Sequence, residues 1–368
     1  MPHNEKRRSA REGTISAANR RLSKKKSEES EILFGCLRER LFVVDSPVKQ
    51  GWIKANEESL INQSRSFSLP ILNLDERFRT PIMVEYNLNK TIDTIEDATG
   101  LEADEKIDLI TAFVHHLERD GFSPEVQERM LEVTPQEEAF VFKNYQATIS
   151  LYNTLSSEEK ELARKWTGEM AHGMCAFLKK PINTSADLNE YCYYVAGTVG
   201  LYLTNLLKLK GSNITDKIFE KLATNSVSFG LFQQKLNIIR DYEEDKITKK
   251  RSFWPQSYFE KEKDKLKILN RMCFDVLKND IPRAIEYFKL LPPGNESYDY
   301  FIRFILCSGI EYWKILKNQE AVFSETKVKL PREFVQNLYA HVSSQGRKEF
   351  IDYCQQFYDE EISNWSDH

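Results

Sequence analysis

The stretch Thr80–Gly100 reads TPIMVEYNLNKTIDTIEDATG. Thr80-Pro81 predicts an N-cap followed by proline at the first helical position, and Gly100 predicts the stop. The helix so framed runs from Pro81 to Ala98, ~27 Å at ~1.5 Å per residue. Asp93, Glu96 and Asp97 stand at i, i+3 and i+4, so three carboxylates share one face, and Tyr86 and Lys90 extend the same stripe. Like charges at this spacing destabilise a helix, and a cation bound among them removes the penalty.

The spacing recurs at Asp241-Tyr242-Glu243-Glu244-Asp245, at the end of a second predicted helix over residues 226–245. Gln234 and Asn237 continue its polar stripe, while Leu231, Leu236, Ile238 and Ile239 occupy the other faces. A single D-x-x-E-D in a chain this acidic reads as a solvated face. Two copies on separate helices, each with amide or aromatic neighbours in an apolar frame, predict one site built from both. Carboxylate oxygens are hard ligands suited to Mg²⁺, which completes its shell with water and substrate phosphates. Asp93, Glu96, Asp97, Asp241, Glu244 and Asp245 are therefore the candidate ligands of a shared metal-diphosphate site. Basic residues flank them: Arg65 in Ser64-Arg65-Ser66-Phe67, Arg240 before the second motif, and Lys249, Lys250 and Arg251 after it. An arginine beside a metal-bound diphosphate binds phosphate oxygens, often bidentately.

The rest of the chain agrees with a helical protein. Glycine (14) and proline (12) make up about 7% of 368 residues, against a usual ~12%. Further helices are predicted near 103–117, 157–178, 188–207, 262–290, 298–317, 331–341 and 346–362, with weak strand alternation throughout. No apolar run approaches the ~18 residues of a membrane span. Six scattered cysteines, Cys36, Cys175, Cys192, Cys273, Cys307 and Cys354, exclude a zinc ribbon and give no disulfide scaffold. Residues 1–26 hold nine Lys/Arg against two Glu, a net +7, which leaves −11 for the remainder of a chain of net charge −4. This basic head has too few large apolar residues to bury itself, and it suits contact with anionic lipid. The acidic body argues against a nucleic-acid partner. Residues 1–30 are thus expected to be a disordered basic tail, and 31–368 a single α-helical domain.

Taken together, the two D-x-x-E-D motifs, Ser64-Arg65-Ser66-Phe67, Tyr191-Cys192-Tyr193-Tyr194-Val195-Ala196-Gly197, Gly230–Asp245 and Phe253-Trp254-Pro255 resemble squalene synthase. That enzyme belongs to the head-to-head prenyltransferases, together with phytoene and dehydrosqualene synthases, and the likeness covers roughly 35–320. The resemblance implies an all-α isoprenoid-synthase fold, with the acidic motifs on facing walls of a central cavity. It implies Mg²⁺-dependent joining of two farnesyl diphosphates to presqualene diphosphate, then NADPH-dependent reduction to squalene. Asp93, Asp97, Asp241 and Asp245 act at the metal, and Tyr191 matches a tyrosine that assists cyclopropane closure. Arg65, Ser66, Tyr86, Lys90, Gln234, Asn237, Arg240, Arg251 and Phe301 are the implied substrate-binding residues.

Three positions depart from the pattern: Ala98 where a further Asp is usual, Lys90 where arginine is usual, and Ile302-Arg303-Phe304-Ile305-Leu306-Cys307-Ser308-Gly309 in place of an apolar stretch containing Pro-Gln. They keep open a related prenyltransferase giving presqualene diphosphate or dehydrosqualene, or a class I terpene cyclase, without the reductive step. A non-catalytic helical interaction protein is disfavoured, since unused carboxylate clusters only cost stability. The polar end Ser363–His368 takes the place of a hydrophobic anchor. The expectation is a monomeric cytoplasmic enzyme, without a membrane-spanning anchor and peripheral to a membrane through its basic head.

Overall fold

The computed structural model describes residues 46–64, 67–136, 138–324, 328–330 and 332–365. The chain divides into two units, Met1–Gln50 and Gly51–His368. Of the first, residues 46–50 are described and open helix α1 (Pro47–Gln63). Next come α2 (Ser68–Leu72), α3 (Glu76–Asp97), α4 (Ala103–Glu118), α5 (Pro124–Val133), α6 (Phe140–Lys143), α7 (Tyr145–Tyr152), α8 (Ser157–Phe177) and α9 (Ser185–Cys192). A π-helical turn, Tyr193–Gly197, leads into α10 (Thr198–Lys210). The remainder is α11 (Asp216–Arg240), α12 (Tyr242–Thr248), α13 (Gln256–Lys261), α14 (Lys265–Asn279), α15 (Ile281–Leu290), α16 (Glu296–Leu316), a 3₁₀ turn (Glu320–Phe323), α17 (Arg332–Ser344) and α18 (Arg347–Trp365). No strand occurs among the described residues, as the all-α expectation requires.

Several boundaries differ from those expected, each for a local reason. Helix α3 begins at Glu76, so Thr80 is not its cap and Pro81 lies inside it. Asp75 is the stronger start: its Oδ1 accepts the Arg77 N–H at 3.0 Å and its Oδ2 accepts the Ser297 hydroxyl at 2.7 Å. Phe78, buried, carries the apolar face upstream of the proline. The helix expected over 262–290 is two helices, because Pro282 has no N–H to continue the ladder past Asp280. The helix expected over 226–245 starts earlier, capped by Thr215, and breaks at Asp241 (φ −96°, ψ 14°). The one expected over 188–207 is interrupted by the π turn.

Helix α11 packs against α10, α15 and α16, while α3 packs against α7 and α8. Two glycines permit the close approach to α11: a Cβ on Gly230 would stand 2.2 Å from the Ala196 carbonyl oxygen, and one on Gly200 2.3 Å from that of Ser226. Trp254 is buried, and its indole N–H donates to the Ile238 carbonyl at 3.0 Å, fastening the chain after α12 to α11. The five cysteines among the described residues are free. None of the described helices is long and apolar enough to cross a membrane.

Candidate active site

The last turns of α3 present Lys90, Asp93, Glu96 and Asp97, and the α11–α12 junction presents Arg240, Asp241, Glu244 and Asp245. The two meet at Lys249, whose Nζ lies 2.7 Å from Asp97 Oδ1 and 3.1 Å from Asp245 Oδ1. Acidic residues about 150 positions apart in sequence thus share one cation. Each of three other acids has its own basic partner. Lys90 pairs with Asp93. Arg240 grips Asp241 bidentately at 2.7 and 2.5 Å. Arg251 Nη1 donates to Glu96 Oε1 at 3.0 Å, while Nη2 donates to the Phe177 carbonyl at 2.5 Å. The Arg251 guanidinium also lies 4.5 Å from the Phe253 ring centre and 5.6 Å from that of Tyr191.

Tyr191, at the end of α9, stacks on Phe253 with ring centres 4.9 Å apart and donates its hydroxyl to Glu96 at 3.4 Å. A further residue joins the site unannounced: Lys106 of α4 donates to the Glu96 carbonyl at 2.6 Å, capping the end of α3. A single lysine beyond the motif carries no sequence signal of this role, which arises only when α4 folds back on α3.

The electrostatics follow from crowding. Burial and the neighbouring Asp97 charge push the Glu96 carboxyl up to about 7. Burial pushes Asp245 up to about 6 in spite of Lys249. Asp97 is likewise raised, by burial and by Asp93. Asp93 goes the other way: burial opposes its charge, yet Lys90 and Lys249 hold it below the usual carboxylate range. Burial and the Glu96 charge lift the Tyr191 phenol well above its ordinary value, so it keeps its proton at physiological pH.

Among the described residues no three His, Cys, Asp or Glu side chains converge closely enough to cage a metal ion, and Lys249 stands between Asp97 and Asp245. The donor chemistry nevertheless fits Mg²⁺. Hard oxygen ligands lie on both sides, and the raised Glu96, Asp97 and Asp245 mark an excess of negative charge that a divalent cation relieves.

The remaining expected residues are placed as follows. Asn237 Nδ2 donates to Gln234 Oε1 at 3.4 Å on the polar stripe of α11. The Tyr86 ring centre is 6.5 Å from that of Phe67. Phe301 is buried, its ring centre 6.1 Å from that of Tyr298. Arg65 and Ser66 lie outside the described residues. A pocket of about 110 Å³ lined by Lys235, Ile239, Tyr258 and Asp275 opens on another face of α11 and holds none of the six acids.

Residues 60–284 match the family model for squalene/phytoene synthase. The chain belongs to the squalene/phytoene synthase family. Squalene synthase 1 of Arabidopsis thaliana is 35% identical over 208 residues, 56% of this chain and 48% of its own. Squalene synthase 8 of Panax ginseng is 36% identical over 210 residues, 56% of this chain and 50% of its own. The chain therefore spans about half the length of the curated relatives it matches. Among solved structures, TcSQS in complex with the ligand BPH1237 superposes with a TM-score of 0.73 at 28% identity, covering 84% of this chain and 91% of that one. A dehydrosqualene synthase in complex with a ligand shares the fold, with a TM-score of 0.58 at 20% identity over 81% of this chain and 98% of that one. The helical architecture is thus the isoprenoid-synthase fold that the family likeness implied.

Proposed function

We propose that this protein joins two farnesyl diphosphates head to head to presqualene diphosphate and, with NADPH, reduces that product to squalene. The observation that supports this most is the Lys249 bridge, which sets the Asp93–Asp97 and Asp241–Asp245 motifs against one another. Asp93, Glu96, Asp97, Asp241, Glu244 and Asp245 are the residues that would hold Mg²⁺. Bound there, the metal supplies Lewis-acid stabilisation of the departing diphosphate. The chain contributes the rest. Arg240, Arg251 and Lys90 surround the acids with cations suited to diphosphate oxygens. Tyr191, fixed by Phe253 and Glu96 and neutral, offers a hydrogen bond at cyclopropane closure, and the lost proton leaves with diphosphate. NADPH as hydride donor is drawn from the likeness to squalene synthases.

A second reading, a coupling enzyme that stops before reduction or a class I cyclase, is favoured by the altered segment 302–309. There the charged newcomer Arg303 turns to the C-terminal helices, donating to the Gln345 carbonyl at 2.7 Å and to Asp299 at 2.7 Å. Gly309 abuts Gln233, whose Nε2 lies 2.4 Å from where a Cβ would stand. Incubation with farnesyl diphosphate and Mg²⁺, with and without NADPH, followed by mass analysis, separates the readings. Squalene formed only with NADPH is the expected outcome. Presqualene diphosphate, dehydrosqualene or a cyclic product regardless of NADPH establishes the second reading.

A further inference from the structure

Three consecutive cations follow α12, and the structure treats them differently. Lys250 is exposed and takes a left-handed backbone (φ 51°), and the residues on either side of it both reach the end of α3. Arg251 goes to Glu96, and Lys249 goes to Asp97 while also holding Asp245. The Lys249 and Arg251 backbone N–H groups both bond the Asp245 carbonyl, at 2.9 and 3.3 Å, so the loop is tied to the second motif itself. Asp93, Glu96 and Asp241 each have a different basic partner, whereas Asp97 and Asp245 are joined through Lys249.

We infer that Lys249 is a positioning residue that stands in for the metal: in the metal-free protein its ammonium holds the two acidic motifs together, and an entering divalent cation displaces it. The inference rests on reading the motifs as a Mg²⁺ site. An ammonium bonded to carboxylates on both sides occupies the space where a cation with oxygen ligands at ~2.0–2.1 Å would sit, so the two exclude one another. Without either, the Asp97 and Asp245 carboxylates that meet at that ammonium lose the cation they share. The side chain has somewhere to go, being about a third exposed beside the exposed Lys250. A single point charge on a four-carbon stem suits such an exchange better than a guanidinium locked to one carboxylate.

The test uses the full chain without substrate, following thermal melting in chelator and during a Mg²⁺ titration, with Mg²⁺ affinity measured by calorimetry. Lys249→Met is expected to melt lower than wild type when metal-free and to bind Mg²⁺ about tenfold more tightly, equivalent to ~1.4 kcal/mol. Lys249→Arg, which restores a cation, is expected to recover the metal-free melting temperature. Lys246→Met, the same charge change at an exposed site on α12, is expected to change neither quantity. Lys249→Gln repeats the measurement if circular dichroism shows Lys249→Met unfolded. A Lys249→Met protein that binds Mg²⁺ no more tightly than Lys246→Met, while wild type responds to Mg²⁺, overturns the inference and leaves the metal reading standing. Wild type that shows no Mg²⁺ response at all overturns the metal reading, and the displacement with it.

Discussion

Glu85 lies on the helix that carries the first acidic motif, yet it faces the core at 2% exposure. Its Oε1 accepts from Asn89 Nδ2 at 3.3 Å and from the Thr167 hydroxyl at 3.2 Å, and its Oε2 has no hydrogen-bond partner. Burial pushes this carboxyl up to about 8. The folded protein therefore holds a proton that the unfolded chain releases, and stability drains away as pH rises from the ordinary value of 4.5 to about 8, after which this group adds nothing further. Glu85→Gln removes that dependence. It is expected to melt close to wild type near pH 5 and to be the more stable protein at pH 8, by at most about 4 kcal/mol. A difference that stays constant between the two pH values would mean Glu85 is ionised in the fold. Arg251 gives a contrasting case. Arg251→Met leaves Glu96 buried without its cation, a loss of roughly 3 kcal/mol at pH 8 that shrinks near pH 5.5, where Glu96 takes up a proton. Denaturant unfolding at the two pH values checks it; an equal loss at both would assign the effect to Arg251's packing on Phe253. The sequence marks Arg251 by its place after an acidic motif. It says nothing of Glu85 or Lys106, whose roles depend on what lies across the helix from them.

At the scale of helices, the period of the apolar residues was legible and the breaks were not. Thr80-Pro81 resembled a start, but a capping carboxylate at Asp75 and the buried Phe78 outweigh one missing N–H. Asp75→Ala is expected to cost about 1–2 kcal/mol, since it removes both the cap and the bond from Ser297 on α16. Urea unfolding measures it, and no loss would show that α3 starts without the cap. The contact of α11 with the π turn depends on backbone touching backbone. Gly230→Ala puts a methyl 2.2 Å from the Ala196 carbonyl oxygen and 2.8 Å from the Gly197 nitrogen, neither of which is a side chain that can rotate away. It is expected to destabilise by about 2–4 kcal/mol and to lower turnover, because Gln234 lies on α11 and Tyr191 lies just before the π turn pushed away from it. Wild-type stability in that variant would show that the elements separate freely.

For the whole molecule, charge is the feature read directly from composition: a net +7 in residues 1–26 against −11 elsewhere. We expect the full chain to sediment with vesicles containing anionic lipid at low salt and to leave them as salt rises, and a chain lacking residues 1–26 to stay in solution while turnover persists. Equal sedimentation of both chains would move the contact to the folded body. The sequence by itself determined that the chain is helical and that it carries two D-x-x-E-D triads of equal spacing, since both follow from the order of residues along the chain. Only the tertiary structure decided that Lys249 lies between those triads, that Arg303 turns toward the C-terminal helices and that Glu85 carries a proton. These depend on groups far apart in the chain, and on the low dielectric that forms around them only when the helices pack.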